Sequence, residues 1–328
     1  MNCSADSTFA ENVETLTSLC YGTASIALYG YLIRAILKNA KYQHPFYMQF
    51  ILLSFANIVM WLCNFVFDRL LTHPLLCPLF WPRYEVPSIF MKLVFLGNFM
   101  TVPLQIFTVI TISVSRMTVV LSPLTTPKLW ARFNDYTLEV IVVLSLLYSF
   151  YLFDFDVALN FDRNNRLLTQ FIDGWPHFSV ALMNSILGIL CLTVIVITTV
   201  VSLWKLSKSI YSTASVEMNL FRTNLGFSLT TSVLDFYYMT ILLGYYILRS
   251  MEAATVILYV RGYVYDINCL LPAWLLLITN KSIRSQLWLF QKSRSQVELS
   301  LKYASLKLNK IFSRVASYAC SYFSFHDP

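Results

Sequence analysis

Seven long apolar segments divide this chain, and they constrain its fold more than any other feature of the sequence. A helix needs about 20 apolar residues, at ~1.5 Å of rise each, to cross a lipid bilayer. The chain is 57% hydrophobic and only 12% charged, which is too little charge to cover a water-exposed surface. We therefore predict an all-α membrane protein, a bundle of seven transmembrane helices. The segments run roughly from Leu16 to Ile33, Pro45 to Phe67, Leu93 to Ser115, Tyr136 to Phe153, Phe178 to Trp204, Asn224 to Leu248 and Val256 to Thr279.

The fourth segment is the weakest of the seven. Its uninterrupted apolar part runs only from Val140 to Phe153, which is short for a membrane crossing. It is either a true span or a helix that lies in the membrane interface.

Lys and Arg side chains are unevenly shared between the two sets of loops. Seventeen of the 24 fall after spans one, three, five and seven, and six fall on the other side. Because cationic loops stay in the cytoplasm, this bias predicts an extracellular N-terminus and a cytoplasmic tail. The N-terminal "MNCSADSTFAEN" lacks the basic segment of a cleavable signal peptide, so span one is predicted to act as an uncleaved anchor.

Three regions follow from this topology. Residues 1–15 form an extracellular segment, 16–279 the transmembrane bundle and 280–328 a basic cytoplasmic tail. The tail opens with "NKSIRSQLWLFQKSR", in which Ile283, Leu287 and Trp288 alternate with basic residues. This pattern is typical of a short amphipathic helix that lies parallel to the membrane.

One arginine, Arg116, interrupts the apolar stretch "ISVSRMTVVLSP" at the predicted cytoplasmic end of span three. Two interpretations stay open. The side chain is either an anchor that reaches toward lipid phosphates, or a switch residue that faces a signalling partner.

Two stretches carry a resemblance to a known family. "SVSRMTVVLSPLTTPKLWARF", from Ser113 to Phe133, and "DINCLLPAWLLLITNKSIR", from Asp266 to Arg284, resemble nematode serpentine chemoreceptors of class gamma. In that family span three ends in a Ser-Val-Asn-Arg-Met-type motif, and a tryptophan follows in the next loop, as Trp130 does here. This chain has Ser115 where asparagine is usual, and rhodopsin-like receptors have an acid there. Ser115 cannot hold Arg116 in an ion pair, so any restraint on Arg116 must come from elsewhere.

The resemblance implies a chemosensory G-protein-coupled receptor in the plasma membrane, in sensory cilia of neurons. Its implied partners are an external small molecule, a heterotrimeric G protein and membrane lipid, with no nucleic acid. Activation would separate the cytoplasmic ends of spans three, five and six. The residues expected to face the G protein are Arg116, Met117, Lys205, Lys208 and Arg222.

Three polar residues fall near mid-membrane depth: Asn57, Asp235 and Asp266. An ionisable group there costs roughly 2.5–3.5 kcal/mol to insert. We predict that the three form one polar cluster, which either couples helix movements or only makes ordinary hydrogen bonds between helices. An alternative function, a ligand-gated ion channel or transporter, would use Asp235 and Asp266 as its coupling site.

Arg261 lies five residues before Asp266, about 500° around the helix, so the two should not pair on their own helix. We expect Arg261 to face the outer vestibule, toward a loop carboxylate or an anionic ligand. The other pocket candidates are Tyr245, Tyr259 and Tyr263, because tyrosine offers an apolar ring with a hydroxyl. An outer aromatic belt accounts for the same tyrosines equally well.

Modification sites are few. Asn2-Cys3-Ser4 is a glycosylation sequon on the predicted outer side. Cys3 and Cys77 either form an extracellular disulfide or remain free thiols. The sequence has no phosphate-binding loop, zinc pattern or nucleophile elbow, so we predict no enzyme activity, no cofactor and no metal site.

Overall fold

The computed structural model describes residues 9–39, 45–70, 73, 89–161, 167–171, 175–207, 214–247, 251–280 and 283–284. These residues form seven α-helices, and each helix coincides with one apolar segment of the sequence. They are α1 (Phe9–Lys38), α2 (Pro45–Asn64), α3 (Ile89–Leu121), α4 (Thr126–Phe150), α5 (Trp175–Ser207), α6 (Ala214–Ile241) and α7 (Met251–Thr279).

Six of these helices contain a stretch that is long and apolar enough to cross a membrane, counted over the residues just given. The stretches are Asn12–Lys38, Pro45–Asn64, Ile89–Leu121, Thr126–Asp154, Phe178–Lys205 and Val260–Thr279. The chain is therefore a multi-pass membrane protein. The helix that is absent from this set is α6.

Helix α6 buries polar side chains together with apolar ones and exposes an apolar face. Its buried side chains include Asn224, Asp235 and Phe227, whereas Leu229 is exposed and Phe236 is 74% exposed. An apolar exposed face with polar groups inside suits a helix surrounded by lipid, because polar groups in a bilayer turn toward other helices. It also explains why the average hydropathy of α6 is low.

Helix α4 is longer than the sequence predicts. It begins at Thr126, with Pro127 in its first turn, where a missing backbone N–H costs nothing. A 3₁₀ turn (Tyr151–Asp154) extends it at the other end. Its buried residues Leu138, Ile141, Ser145 and Ser149 recur every three or four positions, so one face packs on the bundle along its whole length. This packing favours a true span over an interfacial helix.

Helix α3 lies at the centre of the bundle and contacts α2, α4, α5 and α6, while α7 contacts α1, α2 and α6. Consecutive helices run in opposite directions, so the bundle has two ends. We call them the Arg116 end, where α3 finishes, and the Arg69 end, where α2 finishes. The apolar core between them includes Tyr29, Phe50 and Phe227.

Three irregular elements lie at the Arg69 end. π-Helical turns follow α2 (Phe65–Leu70) and α6 (Leu242–Ile247). The structure also adds an antiparallel β-hairpin of β1 (Val157–Phe161) and β2 (Leu167–Phe171), in register with Leu159 opposite Thr169. Strand β1 lies beside α3, and β2 lies beside the π-turn after α2.

Candidate functional site

Arg116 is buried inside the bundle, with 2% of its surface exposed. Its guanidinium carbon lies 4.7 Å from the ring centroid of Phe46 at the start of α2. The Phe46 ring lies parallel to that of Phe227 on α6, at 6.5 Å and 5°. A cation over an aromatic face contributes about 0.5–2 kcal/mol. The lipid-anchor interpretation of Arg116 is therefore wrong in this conformation, because the side chain points into the protein.

Short polar contacts surround Arg116 and join α3 to its neighbours. The Ser113 hydroxyl donates to Asn224 Oδ1 on α6 at 3.3 Å and accepts from Asn224 Nδ2 at 3.2 Å. The Ser115 hydroxyl donates to Gln49 on α2 at 3.2 Å, and Gln49 Nε2 donates to Asn134 on α4 at 3.3 Å. Ser115 thus links α3 to α2, whereas an acid at this position would pair with the arginine.

Helix α7 ends in a second link at the Arg116 end. Asn280 Nδ2 donates to the Tyr47 hydroxyl on α2 at 2.9 Å. Asn280 Oδ1 accepts from the backbone N–H of Ile283 at 3.1 Å, and the N–H of Arg284 donates to the Asn280 carbonyl. Asn280 therefore has the geometry of a helix N-cap. The rest of the predicted amphipathic helix lies outside the described residues.

The other residues expected to face a G protein are spread around this end. Lys205 and Arg222 are exposed at the ends of α5 and α6, and Met117 is half-buried on α3. Lys208 lies outside the described residues. Trp130, the tryptophan of the motif, donates to the Thr118 hydroxyl at 2.9 Å, so it fastens the start of α4 to the end of α3.

A buried network joins four helices at the middle of the bundle. Asn57 donates to the Tyr29 hydroxyl at 2.8 Å, and that hydroxyl donates to the Cys269 carbonyl at 2.6 Å. Gln105 Nε2 donates to Asn57 at 2.7 Å, and Gln105 Oε1 accepts from Asn268 at 2.6 Å. Asn57 therefore lies where the sequence predicts, but its partners are amides and a tyrosine.

Asp266 forms a buried ion pair with Arg69. Arg69 Nη2 lies 2.6 Å from Asp266 Oδ2, and Nη1 lies 3.2 Å from Oδ1. The Tyr21 hydroxyl of α1 also donates to Asp266 Oδ2. Arg69 lies just beyond the predicted end of span two at Phe67, so sequence reasoning missed this pair. The available signal was an aspartate in mid-helix that Arg261 could not reach, which favours a cation from another helix.

The backbone around Arg69 is shaped to admit its side chain. Arg69 lies in the π-helical turn Phe65–Leu70. The extra residue of such a turn rotates the following side chains by about 100° around the helix axis. On α7, a Cβ at Gly262 would lie 3.0 Å from Arg69 Nη2. The absence of a side chain at Gly262 therefore leaves the space that the guanidinium occupies.

Asp235 lies apart from the other two predicted cluster residues. It is 1% exposed, and neither carboxylate oxygen has a hydrogen-bond partner within the described part of the chain. It faces α5, where a Cβ at Gly188 would lie 2.8 Å from its Cγ. The prediction of one cluster from Asn57, Asp235 and Asp266 is wrong, because Asn57 and Asp266 have different hydrogen-bond partners and Asp235 bonds to neither of them. The two aspartates share no hydrogen-bond partner among the described residues.

Of the predicted pocket residues of α7, Tyr263 is 41% exposed and points away from the core. The nearby Tyr265, which is not among the predicted pocket residues, is buried, and its hydroxyl lies 2.8 Å from that of Tyr238. Arg261 lies over the Tyr265 ring, with its Cζ 5.8 Å from the centroid. A loop carboxylate is one of the partners expected for Arg261. The carboxylate of Asp156, in the loop just before β1, contacts Lys92 of α3 at 2.8 Å.

Several predictions concern parts of the chain that are not described. The sequon Asn2 and the pair Cys3 and Cys77 lie outside the described residues. The side chains of Tyr245 and Tyr259 do so as well, although the backbone of both is helical.

Comparison with known proteins gives a consistent set of similarities. The model of the family described as Srg family chemoreceptor matches residues 15–287, which covers the seven helices apart from the start of α1. Serpentine receptor class gamma-5 of Caenorhabditis elegans is 24% identical over 267 residues, covering 78% of this chain and 80% of that receptor. Serpentine receptor class gamma-17 of the same species is 23% identical over 294 residues, covering 87% and 88%. Serpentine receptor class gamma-20, also from C. elegans, is 29% identical over 139 residues, covering 41% and 40%.

Proposed function

Because the chain belongs to the Srg family of chemoreceptors, we propose that it is a chemosensory G-protein-coupled receptor for an external small molecule. It crosses the plasma membrane of sensory cilia seven times, with residues 1–15 outside and the tail 280–328 in the cytoplasm. The apolar exposed face of α6 supports counting this helix as a membrane crossing, which brings the number of crossings to seven. The excess of Lys and Arg after the odd-numbered spans supports the orientation.

In this topology the Arg116 end faces the cytoplasm and the Arg69 end faces outward. A ligand that binds the active state more tightly shifts the population toward it. The shift must separate α3 from α6 at the cytoplasmic end, opening a cleft for the G protein. Lys205 and Arg222, which are exposed, would border that cleft, and we expect Lys208 beside them.

The observation that carries this proposal is the burial of Arg116 against Phe46, whose ring in turn stacks on Phe227. Exposing this charge to the cytoplasm requires α2 and α6 to move away from α3. The structure then corresponds to a closed receptor, in which the arginine packs against an aromatic ring.

The test compares two arginines at the same end of the bundle. Cells expressing an N-terminally tagged receptor are screened by calcium imaging across an odorant panel, and surface protein is stained without permeabilisation. We expect Arg116→Ala to abolish the evoked response while surface staining persists. Arg132→Ala, at an exposed position of α4, serves as the control and should respond normally.

Two outcomes would contradict the proposal. An unchanged evoked response in Arg116→Ala would remove the switch role of that residue. A surface-delivered receptor whose N-terminal tag stays hidden from antibody would reverse the topology and place Arg116 outside the cell.

A further inference from the structure

Arg69 uses only part of its hydrogen-bonding capacity on Asp266. A guanidinium has five N–H donors in a planar fork, and it can bind carboxylates bidentately. The pair with Asp266 occupies Nη1 and Nη2. The Nε of Arg69 is buried and has no hydrogen-bond partner within the described part of the chain. A buried donor left unsatisfied costs about 1–3 kcal/mol, so an acceptor at this edge would stabilise the site.

The surroundings suit an acceptor that is attached to an apolar group. Arg69 is 7% exposed, so water competes little for its donors. On the same helix, Trp61 and Phe65 stack at 5.1 Å. Arg69 and Asp266 cancel in charge, and Glu14 of α1 acts electrostatically on Arg69. Arg261 is the residue before Gly262 and adds a cation to this stretch of α7.

We propose that the Nε edge of Arg69 binds the carboxylate of the receptor's ligand, which makes small organic acids its ligand class. This inference rests on the proposed function and specifies its ligand. The carboxylate accepts from Nε–H and a neighbouring N–H without breaking the ion pair to Asp266, and the apolar body of the acid lies against aromatic side chains.

An amine ligand fits the site less well. Asp266 already accepts from both terminal nitrogens of Arg69 and from Tyr21. An amine would have to displace Arg69 and leave a guanidinium buried without a counter-charge. Removing one partner of a buried ion pair costs about 3–5 kcal/mol, whereas an acid adds to the site and removes nothing from it.

The binding test uses purified full-length receptor in lipid nanodiscs, without G protein. The probes are butanoate, hexanoate and octanoate, with the methyl ester, primary alcohol and primary amine of each. We expect the acids alone to raise the midpoint of thermal unfolding saturably, by about 2 °C at ten times Kd. Equal shifts with acids and esters, or larger shifts with amines, would overturn the proposal.

Variants test whether the rise of the unfolding midpoint with acids depends on Arg69. Arg69→Lys keeps a cation for Asp266 but has no Nε–H, and it should weaken acid binding at least about ten-fold, the loss of a charge-assisted hydrogen bond. The double variant R69Q/D266N carries no charge at either position of the ion pair. It is used in place of Arg69→Lys if that variant does not fold. Lys92→Gln removes a half-exposed cation at the same end and should keep the acid shift. Full acid binding in R69Q/D266N would also overturn the proposal.

The same assay separates this inference from the proposed function. If organic acids raise the unfolding midpoint but evoke no signalling in cells, only the receptor mechanism is contradicted. Odorant-evoked signalling that requires Arg116, without any acid shift, would contradict only the ligand class.

Discussion

Ser113 of α3 and Asn224 of α6 are joined by hydrogen bonds of 3.3 and 3.2 Å, one helical turn from Arg116. Both side chains are buried, so water does not replace the contact. These bonds link the two helices that must separate if the receptor opens toward the cytoplasm. Measured side-chain hydrogen bonds between membrane helices average about 0.6 kcal/mol, with a maximum of about 1.7 kcal/mol.

The first prediction concerns this link. Asn224→Ala should raise ligand-independent signalling, because it removes a contact of the closed state. The energies above correspond to a change of about three- to fifteen-fold in the ratio of active to inactive receptor. Nucleotide exchange on a co-expressed G protein, normalised to surface receptor, measures it. Thr193→Ala removes an exposed hydroxyl that bonds only within α5 and should leave basal signalling unchanged. Basal signalling at or below wild type in Asn224→Ala would contradict a restraining role.

The second prediction concerns the space beside Arg69. Gly262→Ala places a Cβ 3.0 Å from Arg69 Nη2, so the guanidinium must shift away from Asp266. We expect a loss of about 1–3 kcal/mol, as for overpacking in a tight interior, seen as a lower unfolding midpoint in detergent. Gly30→Ala is the matched control, because no atom lies within 4 Å of its added Cβ. An equal response of the two variants would show that the packing around Arg69 tolerates a methyl group.

The third prediction concerns the α5–α6 interface. Gly188→Ala would bring a Cβ to 2.8 Å from the Asp235 carboxylate, so it should lower the unfolding midpoint by pushing the two helices apart. Removing the partner's side chain in Gly188→Ala/Asp235→Gly should restore much of that loss, because the Asp235 Cβ, 2.9 Å from the added Cβ, is removed together with the carboxylate. Gly97→Ala meets only Cys63 at 3.4 Å and serves as the control. Additive losses in the double variant would mean that the two positions do not interact.

The fourth prediction concerns the network at mid-bundle. Gln105→Leu removes the donor to Asn57 and the acceptor for Asn268. Because a buried polar group without a partner costs about 1–3 kcal/mol, the thermal midpoint should fall clearly. Thr111→Val removes a hydroxyl that bonds only within α3 and should change the midpoint much less. Equal midpoints for the two variants would imply that water or another residue replaces Gln105.

Much of the fold follows from apolar periodicity and length. Each predicted segment corresponds to one helix, although α1 begins at Phe9 and α4 at Thr126, earlier than the apolar runs indicate. The class gamma resemblance, carried by the motif around Arg116, is confirmed by the family match. The hairpin β1–β2 was not predicted, because a short strand pair outside the spans leaves no strong pattern in an apolar sequence.

The sites were harder to predict, because depth in the membrane does not fix direction. Asn57, Asp235 and Asp266 share a depth, but their side chains point to different helix interfaces. Arg69 was missed because its direction depends on a π-turn, and a one-residue widening of a helix has no sequence signal as clear as a proline. Tyr263 and Tyr265 differ by two positions, which on a helix separates an outward from an inward side chain.

The network of Asn57, Gln105 and Asn268 has a mechanical consequence. Two of its helices contain a proline close by, Pro103 on α3 and Pro272 on α7, and a missing backbone hydrogen bond makes a helix easier to bend there. Four helices are thus fastened together at the level where two of them bend most easily. We expect the helices to pivot at this level, so that bringing their ends together on one side of the membrane separates their ends on the other.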